Sequence, residues 1–284
     1  MIAITGANGQ LGRLVIDSLL SRTDASNIVA LIRNPDKTAA LQALGVEVRI
    51  ADYSKPETLL PALAGVRKLL LISGSEIGQR FPQHTAVIDA AQKADLELFA
   101  YTSLLKADVS PLLLAQEHKL TERAIMAAGL PAVILRNGWY TENILGNLDN
   151  TLESGKLAGA SGQGRWDTAA RQDYAEAAAL VLTSTEEQAG KIYELAGDAG
   201  FTLQQYANEI SKFGDGEVIY ENIETEELAS NLVQAGLPDS IAAILADAQK
   251  QVADGWLADD SGDLSRLLGR ATTSLTDSLA SLQS

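Results

Sequence analysis

The sequence predicts an α/β protein with a doubly wound parallel sheet and a smaller, mainly helical C-terminal lobe. Three observations support this: short β-branched segments alternate with longer amphipathic ones, a glycine-rich loop follows the first β-segment, and the alternation stops near residue 140. Strand–helix alternation requires right-handed crossovers, which place helices on both faces of a parallel sheet. We therefore expect one domain over residues 1–140 and a second over residues 141–284.

Six strands are predicted in the first domain from apolar, β-branched runs. They cover residues 2–5, 28–32, 46–50, 68–72, 96–102 and 132–136. Five helices are predicted between them from residues with helical spacing. They cover residues 10–21, 36–44, 56–63, 82–93 and 111–128. Several begin with proline in the first turn, and Gly45, Gly65 and Gly129 follow three of the ends, as start and stop signals require.

The regular strand–helix alternation does not continue in the second domain, whose segments are rich in Gly, Asp and Glu. Helices are predicted over residues 171–183, 203–212, 224–235 and 240–252, followed by an acidic loop over 253–263 and one or two short helices. A strand over residues 191–195 can return to the sheet. The boundary between the domains therefore depends on where this strand lies.

Composition excludes several classes of function. The net charge of −15 argues against nucleic acid or an anionic membrane surface as a partner. The chain has no cysteine, which excludes thiolate catalysis, and its two distant histidines predict no metal site. It shows neither a membrane-spanning apolar run nor a signal peptide. We expect a cytoplasmic protein whose oligomeric state stays open, with a homodimer as one option.

The loop after the first strand carries the strongest functional signal. Its residues are Gly6, Ala7, Asn8, Gly9, Gln10, Leu11 and Gly12. Glycines let the backbone turn tightly and approach a pyrophosphate, and the N-terminus of the following helix favours negative charge. A tight turn without a ligand is the alternative, but the strand before it and the helix after it match the required context. The loop predicts a Rossmann-type dinucleotide site.

The end of the second strand indicates which dinucleotide binds. The segment Leu31-Ile32-Arg33-Asn34-Pro35 has no acidic residue, whereas sites selective for NAD place a carboxylate there. Arg33 can pair with a 2′-phosphate and stack on adenine. A solvated surface arginine is the alternative. Within a dinucleotide site, Arg33 predicts NADPH as the cofactor.

Other strand ends are expected to border the same crevice, because ligands of open α/β sheets bind outside the carboxyl ends of the strands. The fifth strand ends in Tyr101-Thr102-Ser103. The candidate cofactor-binding residues here follow the fourth and sixth strands and are Ser73, Gly74, Ser75, Asn137, Gly138, Trp139 and Tyr140. For Trp139, packing between the lobes is an equal alternative.

These motifs resemble the NmrA-like, atypical short-chain dehydrogenase/reductase family. The resemblance rests on Gly6-x-x-Gly9-x-x-Gly12, the Arg33-Asn34-Pro35 corner, Asp52-Tyr53 and residues 136–143, and extends through residues 69–79, 101–105 and 193–197. It is strongest to bacterial NADPH-dependent quinone oxidoreductases and triphenylmethane dye reductases. The resemblance implies NADPH binding along the sites named above and adds Arg171 as a residue near the cofactor.

One departure from the family pattern bears on mechanism. Most short-chain dehydrogenases carry Tyr-x-x-x-Lys, in which the tyrosine donates a proton to a carbonyl oxygen. If Lys119 holds the lysine position, Ala115 holds the tyrosine position. A quinone or cationic dye accepts hydride without a bound acid, so we predict no catalytic side chain. His118 is the alternative donor, although a lone histidine on a helix is more often a surface or packing residue.

Two functions remain open from the sequence. The first is an NADPH-dependent reductase that transfers hydride directly to a quinone or similar planar, small-molecule electrophile. The second is a non-catalytic NADP(H)-binding regulator that senses redox state and acts through protein contacts. NADPH oxidation with an added quinone discriminates between them, because only the enzyme turns over.

Overall fold

The computed structural model describes residues 1–213 and 216–282. Its strands are β1 Ile2–Ile4, β2 Ile28–Ile32, β3 Glu47–Ile50, β4 Lys68–Leu71, β5 Leu98–Leu104, β6 Ala132–Asn137, β7 Lys156–Gly159, β8 Ile192–Leu195 and β9 Ile219–Asn222. Seven of them form one sheet in the order β3-β2-β1-β4-β5-β6-β8. The neighbouring strands from β3 to β6 pair in parallel, which confirms the predicted fold class.

The helices connect these strands. They are α1 Gln10–Leu20, α2 Ala39–Gln42, α3 Leu59–Ala62, α4 Arg80–Ala91, α5 Ala115–Ala127, α6 Thr141–Leu145, α7 Leu148–Ser154, α8 Arg171–Thr183, α9 Leu203–Ile210, α10 Thr225–Gln234, α11 Asp239–Ala253, α12 Asp263–Leu268 and α13 Leu275–Ser281. In the part of the chain that the structure describes, none is long and apolar enough to cross a membrane.

The core lies on both sides of the central strands. Every residue of β2, β5 and β6 is buried, as expected of parallel strands covered on two faces. Helices α1 and α8 pack against each other, with Gln172 donating to Ser18 at 3.1 Å. The apolar runs that predicted these strands are therefore continuous because neither face of the strand meets water.

Two compact units account for the chain. The first consists of Met1–Ala107, Glu117–Asn137 and Arg171–Tyr193. The second consists of Asp108–Gln116, Gly138–Ala170 and Glu194–Ser284. The simple boundary at residues 140 and 141 stays a prediction.

The edge strand β8 is attached through the segment just before it. The Gly190 N–H donates to the Ala132 carbonyl at 2.7 Å, and the Ile134 N–H donates to the Lys191 carbonyl at 3.0 Å. The chain thus returns to the sheet after α8.

Three details of the predicted elements are wrong. The helices expected over residues 36–44 and 56–63 are each a 3-10 turn followed by a four-residue α-helix. The helix expected from residue 111 begins at Ala115, where the Ala115 N–H bonds the carbonyl of Leu112, three residues back as in a turn, at 3.0 Å. The second unit also contains a parallel pair, β7 and β9, that the sequence did not predict.

Candidate cofactor site

The loop after β1 makes a tight turn before α1. Gly6 has a φ of +59°, in the left-handed region that favours glycine. The Gly9 N–H donates to the Gly6 carbonyl at 2.8 Å, and α1 starts at Gln10 with Gly9 as its N-cap. Gly9 has no side chain that could cap the helix. The first N–H groups of α1 are therefore oriented toward the loop, in the arrangement that binds anions.

Gly12 holds the start of α1 against this turn. A Cβ at Gly12 would lie 2.8 Å from the Ala7 Cα and closer still to the Gly6 carbonyl oxygen. Both neighbours are backbone and cannot rotate away, so only glycine fits. Backbone packing of this kind is what a dinucleotide pyrophosphate needs, so these residues fit an NAD(P)H cofactor.

Contacts on both sides fix the glycine loop. The Ala7 N–H donates to the Leu31 carbonyl of β2 at 3.3 Å, and the Asn8 side chain donates to the Lys37 carbonyl at 3.1 Å. On the other side, the Thr5 hydroxyl accepts from the Ile72 N–H at 2.9 Å. The loop thus lies between the ends of β2 and β4, where the strand order reverses and ligands of such sheets bind.

Arg33 follows β2 directly and is largely exposed. Its Nη1 lies 2.6 Å from Oε1 of Glu76, on the segment between β4 and α4. The hydrogen bond from Arg33 lowers the pKa of the Glu76 carboxyl. No carboxylate stands at the end of β2, as its sequence predicts. The structure supplies one from elsewhere in the chain.

The segment Ser73–Ser75 is held by hydrogen bonds to both backbone groups of Gly74. The Gly74 N–H donates to His84 Nε2 at 2.9 Å, and Arg80 Nε donates to the Gly74 carbonyl at 2.7 Å. The Ser73 N–H donates to the Thr102 hydroxyl at 2.9 Å. The path of the chain after β4 is therefore fixed by side chains from α4 and β5.

His84 is a structural residue of this site that the sequence analysis missed. It is fully buried, and its Nδ1 lies 3.0 Å from the Thr121 hydroxyl. Because Nε2 accepts from a backbone N–H, the proton resides on Nδ1. Burial, followed by the charge of Arg80, lowers the pKa of His84 to about 3. The ring is therefore neutral at physiological pH.

Arg80 is itself buried and lies beside Glu117 of α5. The Arg80 Nη1 is 3.5 Å from Glu117 Oε2. The same carboxylate accepts from the Gly78 N–H at 3.2 Å and from the Phe81 N–H at 3.3 Å. Glu117 thus ties the start of α4 to the segment that carries Glu76.

His118 is buried beside the end of β5. Its Nδ1 lies 2.8 Å from the Tyr101 hydroxyl, and both residues are at most 4% exposed. Burial lowers the pKa of His118 and raises that of Tyr101, so both are neutral. This is a packing arrangement, the alternative that the sequence favoured for His118.

A buried ion pair fixes the end of β6. Arg136 donates through Nε and Nη2 to the two oxygens of Glu122, at 3.0 and 2.7 Å. The Leu105 N–H donates to the Asn137 carbonyl at 2.9 Å. The predicted site residue Asn137 thus stands at the end of a rigid strand, in the same unit as the glycine loop and Arg33.

The next predicted residues belong to the second unit. The Gly138 N–H donates to the Leu195 carbonyl at 2.7 Å, and Tyr140 forms a parallel bridge with Ala169. Trp139 is 9% exposed and packs edge-on against Trp166, with ring centroids 5.8 Å apart. This contact lies within the second unit, and the role of Trp139 at the cofactor stays a prediction.

Arg171 is the first residue of α8. Its neighbour Gln172 bonds to Ser18, in the last part of α1, whereas Gly12 lies in the first turn of that helix. The assignment of Arg171 to the cofactor therefore continues to rest on the family resemblance alone.

The position of the missing tyrosine is closed to solvent. Ala115 is fully buried in the first turn of α5, and its N–H donates to the Leu112 carbonyl at 3.0 Å.

Among the described residues, no group of three or more His, Cys, Asp or Glu side chains could hold a metal ion.

Comparisons with known proteins agree with this geometry. A family model described as NAD(P)H-binding matches residues 6–185. Quinone oxidoreductase 2 of Escherichia coli strain K12 is 50% identical over 99% of this chain and 98% of its own length. A crystal structure of NADPH-dependent quinone oxidoreductase from E. coli, complexed with NADPH, superposes with a TM-score of 0.97 over 100% of both chains. The Citrobacter sp. triphenylmethane reductase complexed with NADP(H) has 37% identity and a TM-score of 0.94 over 99% of both chains.

Proposed function

We propose a function from the premise that this chain belongs to the NAD(P)H-binding family: it is an NADPH-dependent oxidoreductase that transfers hydride to a quinone or a similar planar electrophile. The observation that carries this is the 50% identity with E. coli quinone oxidoreductase 2 over nearly the full length of both proteins. The likeness to triphenylmethane reductase supports the same substrate class, because a triphenylmethane dye is also a conjugated, electron-poor hydride acceptor. The alternative of a non-catalytic regulator is not favoured.

The cofactor is NADPH, and we propose how the chain holds it. The backbone of the loop from Gly6 to Gly12 and the start of α1 bind the pyrophosphate, and Arg33 binds the 2′-phosphate. Residues that follow β4 and β6 are also part of the proposed cofactor site. The remaining ligands we propose are Ser73, Gly74, Ser75, Asn137, Gly138, Trp139, Tyr140 and Arg171.

NADPH supplies the hydride when it is bound. The chain itself contributes orientation, because the fixed glycine loop and strand ends hold the reacting groups in place. No side chain donates a proton at the position of the usual tyrosine, since Ala115 stands there, buried. A quinone does not require one, because the product oxyanion is delocalised over an aromatic ring and takes its protons from water.

The test is NADPH oxidation by the purified protein with benzoquinone or menadione as acceptor. We expect steady turnover that requires both substrates. Saturable NADPH binding without turnover for either quinone would contradict the enzyme and support the regulator.

Finer assignments are also part of the proposal. We place the chain among the atypical short-chain dehydrogenase/reductases because of its NmrA-like motifs, and in the cytoplasm because a reductase of this type needs a pool of NADPH. The net charge of −15 supports a small-molecule substrate rather than nucleic acid. A homodimer is the oligomeric state to be tested by light scattering.

The first prediction concerns cofactors. The purified protein is expected to be colourless and active with NADPH and a quinone alone, because the sequence carries a single dinucleotide loop and the described residues hold no metal-binding cluster. The measurements are a visible absorbance spectrum and activity after dialysis against a chelator. A stoichiometric flavin band, or loss of turnover on chelation, would show that a second cofactor is needed.

The second prediction concerns α5. Lys119→Ala and His118→Ala are each expected to lower kcat for a quinone by less than about tenfold, which is under about 1.4 kcal/mol of barrier. Lys119 has no tyrosine whose pKa it could tune, and His118 is neutral and buried against Tyr101. His118→Ala should nevertheless destabilise the fold by about 2–4 kcal/mol, because it leaves a cavity and an unpaired hydroxyl.

The measurement is kcat across a pH range with both substrates saturating. The folded fraction of each variant is determined by thermal unfolding. A hundredfold loss in either variant, with unchanged NADPH affinity, would identify that side chain as a proton donor.

A further inference from the structure

We propose that Glu76 tunes cofactor selectivity by competing with the 2′-phosphate of NADPH for the guanidinium of Arg33. This rests on the proposed function, in which Arg33 binds the 2′-phosphate. The sequence offers no acidic residue at the end of β2, yet the fold brings a carboxylate to the arginine that follows this strand. The pairing residue is 43 positions away in the chain.

Both carboxylate oxygens of Glu76 accept a hydrogen bond, one from Arg33 and the other from Gln83. Oε1 of Glu76 accepts from Arg33 Nη1 at 2.6 Å, and Oε2 accepts from Gln83 Nε2 at 2.7 Å. Arg33 follows β2 and Glu76 follows β4, and these two strands flank β1. The ion pair therefore joins the segments on either side of the strand that ends in the glycine loop.

A buried framework positions the segment that carries this carboxylate. On one side of it, the Gly74 N–H donates to His84 and the Gly74 carbonyl accepts from Arg80. On the other side, the Gly78 N–H donates to Glu117. His84 and Arg80 are at most 5% exposed. The backbone on both sides of Glu76 is therefore held in place, which keeps its carboxylate within reach of Arg33.

The 2′-phosphate of NADPH and the carboxylate of Glu76 compete for the guanidinium of Arg33. A phosphate and a carboxylate both pair with the same planar donor edge of arginine. When the 2′-phosphate takes this edge, the ion pair with Glu76 is weakened and the two negative charges repel each other. NADH has a neutral ribose hydroxyl in place of the phosphate, so it can bind while Arg33 and Glu76 remain paired. Glu76 therefore opposes NADPH binding more than NADH binding.

The size of the effect follows from exposure. The two side chains are 66% and 47% exposed, so their direct attraction is modest and is screened by salt. Adding the repulsion between the phosphate and the remaining carboxylate, we expect removal of the Glu76 charge to tighten NADPH binding by about three- to tenfold.

The experiment is to measure dissociation constants of the parent and Glu76→Gln by titration calorimetry, which requires no turnover. NADPH and NADH are compared, with adenosine 2′,5′-bisphosphate and ADP as probes of the adenosine end. For Glu76→Gln we expect the NADPH and 2′,5′-bisphosphate constants to fall by about three- to tenfold at low salt and less at high salt. The NADH and ADP constants should change by less than about twofold.

A matched control exists at the opposite end of the sheet. Glu97 pairs with Arg67 at 2.6 Å beside the amino ends of β4 and β5, and both side chains are about half exposed. Glu97→Gln removes the same charge and the same kind of ion pair, and it should change none of the four constants. In an Arg33→Ala background, Glu76→Gln should still tighten NADPH binding, because the repulsion between the carboxylate and the 2′-phosphate remains although the competition for the guanidinium is gone.

Two results would overturn the inference. The first is an NADPH constant that is unchanged or weaker in Glu76→Gln, which would mean that Glu76 orients Arg33 rather than competing for it. The second is equal tightening for NADH. Failure of the proposed function has a different signature, because a parent protein that does not bind NADPH, or binds it without reducing quinones, contradicts the function itself.

Discussion

Gly12→Ala is expected to weaken NADPH binding by about a hundredfold, because it moves the backbone that would hold the pyrophosphate. An added Cβ would overlap the Gly6 carbonyl and lie 2.8 Å from the Ala7 Cα. Neither atom belongs to a flexible side chain, so the start of α1 must move away from the loop. Overpacking of this kind also destabilises a fold by about 1–3 kcal/mol.

Two further glycines provide a graded series. A Cβ at Gly9 would lie 3.1 Å from the Gly6 carbonyl, so Gly9→Ala should have a smaller effect than Gly12→Ala. Gly146 has a φ of −61°, and a Cβ there would lie 3.5 Å from its nearest neighbour. Gly146→Ala is therefore the control and should bind NADPH as the parent does.

The series is measured by NADPH dissociation constants at a temperature where every variant is folded, with thermal unfolding recorded in parallel. A Gly12→Ala variant that is folded and binds NADPH like the control would show that close backbone packing does not position the cofactor.

Local sequence signals were sufficient for the elements that build the sheet. β2 was predicted with its observed bounds of Ile28–Ile32, and α8 with its bounds of Arg171–Thr183. β2 is apolar along its length and bounded by polar residues, because both of its faces are buried. The turn of the glycine loop and the start of the helix after it could be predicted equally well, because both lie within one short stretch of chain.

The elements that were missed lack such signals. β7 and β9 are four-residue strands, and β9 has three exposed positions, so neither shows a clear alternation of apolar and polar residues. Their pairing joins Lys156 to Ile219, which no local pattern can predict. The helix α2 is shorter than predicted because only Leu41 is buried in it, so little packing stabilises a longer helix.

The polar side chains that position the candidate site could also not be predicted from the sequence. Arg33 could be proposed as a cofactor ligand from the sequence, because the end of the second strand is a position that selects the cofactor. Glu76 and His84 could not, because their partners are distant in the chain or belong to the backbone of another segment. A histidine that accepts a hydrogen bond from a glycine N–H has no characteristic spacing. Such residues are found only once the fold places them.

Arg33→Ala is expected to weaken NADPH binding by roughly tenfold to a hundredfold and to leave NADH binding almost unchanged. A charge-assisted pair between a guanidinium and a phosphate contributes about 1.5–3 kcal/mol, which corresponds to that range. The variant also leaves the Glu76 carboxylate without its partner at 2.6 Å, so an unneutralised negative charge would remain for the 2′-phosphate to meet. NADH has no phosphate at this position and meets neither penalty.

Arg33→Lys and Arg67→Ala complete the test. Lysine retains the charge but cannot form two parallel hydrogen bonds, so Arg33→Lys should bind NADPH with an affinity between those of the parent and Arg33→Ala. Arg67 is a half-exposed arginine paired with Asp95 and Glu97 at the amino end of the sheet, and its removal should leave both cofactor affinities unchanged. Dissociation constants for NADPH and NADH are measured for all three variants at one ionic strength, because an exposed charge pair is screened by salt. Equal losses for both cofactors in Arg33→Ala would mean that Arg33 contacts the adenine or ribose that they share, and the selectivity for NADPH would then need another cation.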